Sequence, residues 1–323
     1  LVYDDLTYLG KLPVFKSLLE CGARVNTLRS IYPTITYPVH VSIITGVYPN
    51  RHGVINNELP EIGVLSSPWH WFSSSNKVPT LFKAAKKAGL TTAAVFWPVT
   101  GNDPDIDYLI DEYWSQSEDD DLEDVFRRSG SNEQVMDRVV KKNLHMLKGN
   151  ERKHPEADEF VFACACDIIR EFKPDVLAIH PAAIDGARHS SGLFSEKVDR
   201  SLDDTERWTG MIIQATKEAG TYEDTNFVIL SDHGQLEIKR IINPNVILRD
   251  NGLITTDEEG NFLDWKAFCK SAALSAHVYL KDPSCKEVYN RTYELLCYMR
   301  DEGIYGISEV FTREEINEKE HLD

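Results

Sequence analysis

The sequence predicts an α/β fold in which a doubly wound, mostly parallel sheet carries helices on both faces. Helical segments alternate with short β-rich runs along the 323 residues, and helix-then-strand units of this kind build parallel sheets that are covered on both sides. Apolar residues make up 42% of the chain, which is enough for a sizeable core. Such sheets bind ligands beyond the carboxyl ends of their strands, so functional side chains are expected in the loops that follow the strands.

The first elements are predicted from the limits of their helices. A helix is expected over 11–24 and another over 78–89, where Pro79 lies near the start and Gly89 at the end. Proline in the first turn and glycine after the last turn are typical helix limits. The apolar run at 90–97 follows directly and is predicted to be a buried strand.

Two further units continue the alternation. A helix is predicted at 157–172 with a strand after it at 175–180, and a long helix at 195–219 with a strand after it at 225–231. The apolar composition of both short runs favours strands that are buried between helices.

Two segments interrupt this pattern. Residues 102–156 are acidic at first and helical later, which indicates an insertion over the sheet. Residues 236–310 hold two helical stretches and a strand-like run at 273–280, which indicates a smaller lobe or an edge extension. We therefore predict one domain over 1–323 that contains these two insertions.

Charge and composition exclude several classes of protein. The 35 basic residues against 52 acidic ones give a net charge of −17, which argues against a nucleic-acid polymer as partner because such binding needs a basic face. The chain contains no apolar run of the length of a membrane span. Six cysteines without a CxxC pair indicate free thiols in a reducing compartment. No leader precedes Leu1, so a cytoplasmic location is predicted, unless a secretion leader was removed together with the start.

A first candidate site lies in the segment 32–46. Pro38 suits the first position of a helix and Gly46 its end, which places Thr36 at or just before a helix N-terminus. Backbone N–H groups and the helix dipole stabilise an anion there. Two interpretations stay open: Thr36 caps the helix, or its hydroxyl is ionised against a metal ion.

Two later segments carry side chains that bind metals. Asp185 and His189, four residues apart after the strand 175–180, can converge on one ion, although this spacing alone also arises by chance. Asp232 and His233 follow the strand 225–231 and form either a metal site or a surface turn. Mixed Asp and His ligands suit zinc or a similar divalent ion. Two such ions about 4 Å apart clamp the oxygens of a phosphoryl group during attack by a hydroxyl.

These segments together resemble one known family. The stretch YPTITYPVHVSIITGVYPNRHGVINN resembles the nucleophile segment of the nucleotide pyrophosphatase/phosphodiesterase family, within the alkaline phosphatase superfamily. IDGARHSSG and LSDHGQ resemble the two later metal motifs of that family, in the right order. The resemblance implies an alkaline-phosphatase-like catalytic domain with two divalent metal ions, zinc being favoured. It also implies hydrolysis of phosphodiester or pyrophosphate bonds in a small phosphorylated molecule.

The resemblance assigns roles to residues around the nucleophile. Thr36 matches the nucleophile that forms a phospho-threonine intermediate. Asn57 matches the residue whose amide binds a non-bridging phosphate oxygen. Tyr37 matches an aromatic residue on which a nucleobase stacks, with packing in the core as the alternative. His40 and His52 match histidines that are usually structural.

The metal ligands are assigned in the same way. Asp185 and His189 match the ligands of one ion, and Asp232 and His233 match the ligands of the other. The family has two further ligands, an Asp expected upstream of Leu1 and a His expected beyond Asp323. We therefore expect the domain to be incomplete at both ends.

The substrate is left open by one departure from the family pattern. Val39 stands where many nucleotide-hydrolysing relatives have Asn, which weakens the case for a nucleotide. The alternatives are a phosphonate hydrolase, a phosphomonoesterase of the same superfamily, or a catalytically inactive binding relative. Selectivity is expected to come from residues 58–76 and 102–156, where the tryptophans of PWHWF form either a pocket wall or a packed loop.

Overall fold

A short parallel sheet lies at the centre of the computed structural model, which describes residues 1–64 and 67–322. It has three strands in the order β2-β1-β3. Their bounds are β1 (Thr92–Val95), β2 (Tyr108–Ile110) and β3 (Val176–Ile179). Both neighbours of β1 run parallel to it, with Ala93 opposite Tyr108 on one side and Leu177 on the other.

Helices surround this sheet and account for most of the ordered elements. Their bounds are α1 (Tyr3–Leu9), α2 (Pro13–Cys21), α3 (Thr36–Thr45), α4 (Pro49–His52), α5 (Leu81–Lys87), α6 (Leu122–Arg128), α7 (Glu133–Val135), α8 (Lys141–Leu147), α9 (Glu156–Phe172), α10 (Ala183–Ser191), α11 (Glu196–Ala219), α12 (Pro244–Asp250), α13 (Lys286–Asp301) and α14 (Arg313–Glu320). A π-helical turn at Met136–Val140 joins α7 to α8. The helices predicted at 11–24, 78–89, 157–172 and 195–219 form within one to three residues of those limits.

The core lies on both faces of the sheet, as the predicted fold class requires. Successive residues of a strand point to opposite faces, and β1 shows this directly. Ala93 and Val95 pack with α9, where Phe160 and Ile168 are fully buried. Ala94 faces the other way and packs with Phe82 of α5. The buried run of β1 is therefore sandwiched between helices, which confirms the α/β architecture.

The strand predicted at 225–231 does not form. These residues have no regular secondary structure, and Val228, Ile229 and Leu230 are 79%, 46% and 42% exposed. An apolar run favours a strand, but a strand also needs a neighbour to which its backbone can bond. None of the described strands pairs with this run, so its composition alone predicted the wrong local structure.

The segment 102–156 is only partly an insertion. Its residues Tyr108–Ile110 form β2 and pair with β1, so the start of the segment belongs to the sheet. The later part forms α6, α7 and α8. Helix α8 and the π-helical turn before it pack against α9, and Phe126 of α6 stacks on Phe160 of α9. A strand of three residues between aspartates has too short a pattern to be recognised in a sequence.

Residues 236–310 build their own small core. The strands β4 (Ile254–Thr256) and β5 (Phe262–Trp265) form one antiparallel pair, and β6 (Ala267–Ala272) and β7 (Ser275–Leu280) form another. Leu248 of α12 and Met299 of α13 are buried with Ala267. A separate core is typical of the smaller lobe that the sequence predicts. That this lobe is an insertion stays a prediction.

Free cysteines are confirmed by the structure. All six thiols are unpaired, and Cys164, Cys166 and Cys269 are buried. Burial raises the pKa of Cys166 to about 11 and that of Cys269 to about 12, so both thiols stay protonated and unreactive. Among the described residues, no helix is long and apolar enough to cross a membrane.

A buried ion pair holds α1 against α10. The guanidinium of Arg188 lies 2.5 Å from Oδ1 of Asp5, and the two side chains are only 4% and 3% exposed. Asp5 also accepts the backbone N–H of Val2 at 2.8 Å. Because α10 carries Asp185 and His189, this pair helps to place one of the candidate metal motifs.

Loss of this pair is expected to destabilise the protein strongly. Arg188→Met leaves the buried carboxylate of Asp5 without its guanidinium partner, which costs about 3–5 kcal/mol of unfolding free energy. Adding Asp5→Asn removes the buried charge and should recover part of that loss. Urea denaturation of both variants measures it, and equal losses in the two would contradict this account of the pair.

Candidate active site

The predicted site residues lie at the carboxyl edge of the sheet. β3 ends at Ile179 and is followed by His180, while β2 ends at Ile110 and is followed by Asp111 and Glu112. The first turn of α3 reaches this edge, because the ring of His40 in α3 lies 4.3 Å from that of His180. This is the edge at which parallel sheets bind their ligands.

Thr36 is the first residue of α3, and Ile35 occupies the N-cap position. The helix therefore begins two residues before Pro38, which the sequence had suggested as its first residue. The hydroxyl of Thr36 does not cap the helix; its Oγ1 lies 3.4 Å from Nε2 of His233. Gly46 ends the helix with a φ of 69°, a left-handed conformation that glycine adopts without strain.

Asp232 and His233 are brought to Thr36 across 197 residues of sequence. The hydroxyl of Ser30 donates to the backbone carbonyl of Asp232 at 2.7 Å, and that of Ser231 donates to the carbonyl of His233 at 2.8 Å. These bonds hold the turn in place although no strand precedes it. The side chains of Asp232 and His233 are 18% and 16% exposed, so the alternative of a surface turn does not describe them.

The contact between these two side chains fits a cation. His233 Nδ1 lies 3.0 Å from the carbonyl of Gly234 and donates to it when the ring is neutral, which leaves a lone pair on Nε2. That Nε2 lies 3.2 Å from Oδ2 of Asp232. Two electron-rich atoms at this distance need a proton or a metal ion between them, and an Asp with a His is a donor set that zinc accepts.

A second group of donors surrounds Asp232. Ligand atoms of His40, His180 and Asp232 all lie within 4.8 Å of one another. His40 Nδ1 lies 2.8 Å from the carbonyl of Thr36 and 3.7 Å from Oδ2 of Asp232. Burial, with a further contribution from His180, lowers the pKa of His40 to about 3, so its ring is neutral and carries a lone pair.

Sequence reasoning missed His180. Burial would lower its pKa, but Glu112, with Oε2 at 3.8 Å from Nδ1, raises that pKa above the ordinary value. The available signal was its position at the carboxyl end of the strand 175–180, where ligands bind. The family resemblance implies a structural role for His40, and the place of His40 in this donor group is likewise a finding of the structure.

Asp185 and His189 face each other on α10, as their spacing predicts. Nε2 of His189 lies 3.4 Å from Oδ2 of Asp185, and the side chains are 72% and 43% exposed. Gln235 donates from Nε2 to Oδ1 of Asp185 at 2.6 Å. This bond connects α10 to the chain directly after His233. The pair lies outside the close group formed by His40, His180 and Asp232, so the structure does not bring all the predicted ligands together.

Asn57 lies beside the nucleophile candidate. Its Oδ1 accepts the backbone N–H of Tyr37 at 2.8 Å, and Tyr37 follows Thr36 in the first turn of α3. This bond fixes the orientation of the amide. The NH₂ group of Asn57 is then the half of the amide that can donate to an anion at the helix N-terminus.

Tyr37 is packed in the core in this structure. It is fully buried, with its ring edge-on to Trp69 at 5.2 Å and to Trp71 at 6.4 Å. Burial raises the pKa of its phenol well above the usual value, and Glu112 raises it further. Of the two interpretations of Tyr37, core packing describes what is observed, since no face of the ring is free to stack on a base.

The aromatic cluster around Tyr37 joins the two segments predicted to set selectivity. Trp69 stacks on Trp71 at 5.7 Å, and Trp114 meets Trp71 edge-on at 4.2 Å. The guanidinium of Arg152 lies 4.4 Å from the ring of Trp114. Residues 58–76 and 102–156 therefore contact each other directly, although residues 65 and 66 lie outside the described part of the first segment.

His52 has the structural role that was expected of it. Nδ1 accepts the backbone N–H of Val54 at 3.1 Å, and Nε2 bonds the hydroxyl of Ser42 at 2.9 Å. The side chain is fully buried, and burial lowers its pKa to about 4. It therefore fastens α4 to α3 as a neutral ring.

Comparison with known proteins decides the family. The model of the family "Type I phosphodiesterase / nucleotide pyrophosphatase" matches residues 2–322. The chain belongs to this family. The resemblance that the motifs showed is thereby confirmed along nearly the whole chain.

Curated relatives of this phosphodiesterase-family chain are distant and longer. Human ectonucleotide pyrophosphatase/phosphodiesterase family member 1 is 26% identical over 251 residues, which are 76% of this chain and 24% of the relative. Venom phosphodiesterase 2 of Crotalus adamanteus is 25% identical over 233 residues, 70% of this chain and 24% of the relative. The chain thus spans about a quarter of the length of these relatives.

Solved structures show the same fold. An inactive variant of murine ectonucleotide pyrophosphatase/phosphodiesterase 5 in complex with AMP has a TM-score of 0.59 at 20% identity, covering 99% of this chain and 72% of that one. Phosphonoacetate hydrolase from Sinorhizobium meliloti 1021, in complex with phosphonoacetate, has a TM-score of 0.60 at 19% identity, covering 99% and 74%. This phosphodiesterase-family chain therefore has the alkaline-phosphatase-like fold that its motifs imply.

Because His52 is buried, we predict that the protein loses stability in acid. Its pKa is about 4 in the folded state against 6.5 as the ordinary value, so the unfolded state binds the proton more readily. The stability is fully present above pH 6.5 and falls as the pH drops toward 4, by about 2 kcal/mol at pH 5. Between pH 7 and pH 5, the unfolding free energy of His52→Gln should therefore fall by about 2 kcal/mol less than that of the wild type.

Urea denaturation at the two pH values measures this difference. His145→Gln is the matched control for the exchange of a histidine for glutamine, because His145 is exposed on α8. An unchanged pH dependence in His52→Gln would show that His52 does not contribute to it.

Proposed function

We propose that this chain hydrolyses a phosphodiester or pyrophosphate bond in a small phosphorylated molecule, with Thr36 as the nucleophile. The observation that carries the proposal is the position of Oγ1 of Thr36, in the first residue of a helix and 3.4 Å from Nε2 of His233. A hydroxyl at a helix N-terminus is next to N–H groups that stabilise negative charge. This position supports a role in which Thr36 ionises and receives the phosphoryl group.

The reaction proceeds in two displacements. Oγ1 of Thr36 gives its proton to solvent and attacks phosphorus, so that a new O–P bond forms. The bond to the leaving alcohol or phosphate breaks, and the leaving oxygen takes a proton from solvent. Water then attacks the phospho-threonine and releases the second product, which regenerates the hydroxyl. The NH₂ of Asn57 donates to a non-bridging oxygen whose charge grows in both transition states.

The donor set supports a site for two divalent ions, zinc being favoured. Asp185 with His189 would hold one ion and Asp232 with His233 the other, and the lone-pair contact within the second pair fits a cation between its atoms. When bound, such ions supply positive charge that favours the ionised threonine and the phosphoryl oxygens. Without them, a chain of net charge −17 would repel a phosphorylated substrate.

A phosphonate or a phosphomonoester remains the second candidate substrate. The observation that favours it is that Tyr37 and Val39, two neighbours of Thr36 in α3, offer no surface to a nucleobase, since Tyr37 is fully buried and Val39 is 4% exposed. Neither residue offers a free ring face or a polar side chain to a nucleotide. The second ester substituent of a substrate would instead meet the aromatic cluster of Trp69 and Trp114.

Replacement of Thr36 tests the mechanism. Thr36→Ala removes the attacking oxygen, so turnover should fall by about 10³-fold or more, while Thr36→Ser keeps a hydroxyl and should retain part of the activity. Rates on bis-p-nitrophenyl phosphate, p-nitrophenyl phosphate and a nucleotide p-nitrophenyl ester identify the preferred class. A loss below about tenfold in Thr36→Ala would remove this residue from the nucleophile role.

Metal content tests the ligand assignment. A chelator should abolish turnover and added zinc should restore it. Asp185→Asn and Asp232→Asn should each lower the bound metal from about two ions to about one, since each removes a charged ligand from a different site. Elemental analysis of the dialysed protein measures this, with the exposed Asp282→Asn as the control. Full metal content in either site variant would refute that assignment.

A further inference from the structure

Among the described residues, every polar group of Asn57 except its side-chain NH₂ has a hydrogen-bond partner. Its Oδ1 accepts the N–H of Tyr37 at 2.8 Å, and its backbone carbonyl accepts the N–H of His70 at 2.9 Å. Its own backbone N–H donates to Oδ1 of Asn56 at 2.8 Å. The direction in which the free NH₂ group points is therefore set by these three bonds.

One of these bonds continues to a distant part of the chain. Asn56 is 6% exposed, and its Nδ2 donates to the carbonyl of Ser271 at 2.9 Å, across 215 residues of sequence. Ser271 lies in β6, so we call the β6–β7 pair, residues 267–280, the hairpin. The single side chain of Asn56 thus bonds the backbone of Asn57 with one end and the backbone of the hairpin with the other.

A second contact fastens the hairpin to the same loop. The ammonium group of Lys270 lies 3.0 Å from the carbonyl of Leu59, 3.1 Å from Oε2 of Glu58 and 2.6 Å from Oγ of Ser67, and its side chain is 11% exposed. Lys270, the neighbour of Ser271 in β6, therefore binds residues on both sides of the turn that follows Asn57. The hairpin supports the loop at two adjacent residues of one strand.

We propose that Asn56 is a positioning residue through which the hairpin sets the orientation of the Asn57 amide toward the phosphoryl group. This inference rests on the proposed function, because it takes Asn57 as the donor to a phosphoryl oxygen. Such a donor is effective only when it lies about 2.7–3.1 Å from the developing charge. A small displacement of the loop would therefore weaken transition-state stabilisation while substrate binding changed little.

The substitution Asn56→Asp removes one of the two hydrogen bonds of this side chain and keeps the other. The carboxylate keeps an acceptor for the N–H of Asn57, and it replaces the NH₂ group that bonds Ser271 with an oxygen. Two oxygens then face each other at hydrogen-bond distance, so the link to the hairpin is lost and the side-chain shape is kept.

Asn245 offers a matched control on the same strand. Its Nδ2 donates to the carbonyl of Cys269 at 2.8 Å, and its Oδ1 accepts the N–H of Cys269 at 2.8 Å. Asn245 belongs to α12 and bonds the hairpin from there, away from the loop of Asn57. Asn245→Asp therefore disturbs a half-buried amide bonded to β6 and leaves the bond between Asn56 and Ser271 in place.

The test is a double-mutant cycle on the metal-loaded protein, with the substrate class that the wild type hydrolyses fastest. Asn57→Ala should lower kcat by about 10²-fold. Asn56→Asp should lower kcat by about tenfold with KM within about twofold, and Asn245→Asp should leave both within about twofold. In the Asn57→Ala background, Asn56→Asp should change kcat by less than about twofold, because the group that it positions is gone.

Each other outcome overturns the inference at a different step. If Asn57→Ala leaves kcat unchanged, the donor role of Asn57 in the proposed function fails as well. If Asn57→Ala is impaired but Asn56→Asp is neutral, or equally harmful with and without Asn57, the positioning role fails and the proposed function stands. If Asn56→Asp does not fold, Lys270→Gln replaces it in the same cycle, with the same coupling to Asn57 expected.

Discussion

Repulsion among electron-rich groups is the physical constraint around which this site is built. The Nε2 atom of His233, which carries a lone pair when Nδ1 donates to the carbonyl of Gly234, lies 3.2 Å from a carboxylate oxygen of Asp232. The chain as a whole carries a charge of −17. Such an arrangement is stable only with protons or cations among the donors. In the proposed function, a cation held there would also attract a phosphoryl group, which has the same sign of charge as the chain.

The helix that carries Asp185 and His189 is held in place by buried polar groups that are hydrogen-bonded. Asp158 of α9 accepts the N–H groups of Ala182 and Ala183 at 2.7 and 3.0 Å, which fixes the start of α10. At the other end of that helix, Arg188 bonds Asp5 of α1. Both contacts lie within or beside the helix that carries Asp185 and His189. These bonds stabilise the fold, and they also fix the position of a candidate metal motif.

The sequence predicted the helices and the class of the sheet well, because their signals are local. Glycine and proline mark helix ends such as Gly89, and an apolar run such as 90–97 marks a buried strand. The strand at 225–231 was wrong because pairing depends on a neighbour that composition does not reveal. β2 was missed because three residues between aspartates carry too little pattern.

The site was predicted where residue type and motif coincide, and missed where position alone matters. Thr36, Asp232 and His233 meet as the motifs imply, and their contact is the part of the site that the structure shows most directly. His180 was overlooked because a lone histidine at a strand end belongs to no motif. Tyr37 could not be decided from the sequence, since burial of an aromatic ring is a property of the tertiary packing around it.

The aromatic cluster has a consequence for how the two loops of this chain can change. Trp69 and Trp71 come from one loop and Trp114 from another, and the rings pack directly on one another. An exchange of either loop alone with a relative would leave large apolar surfaces without their partner. Changes in these two loops are therefore coupled in this chain, and a chimera that transfers only one of them would lack the packing partner of the other.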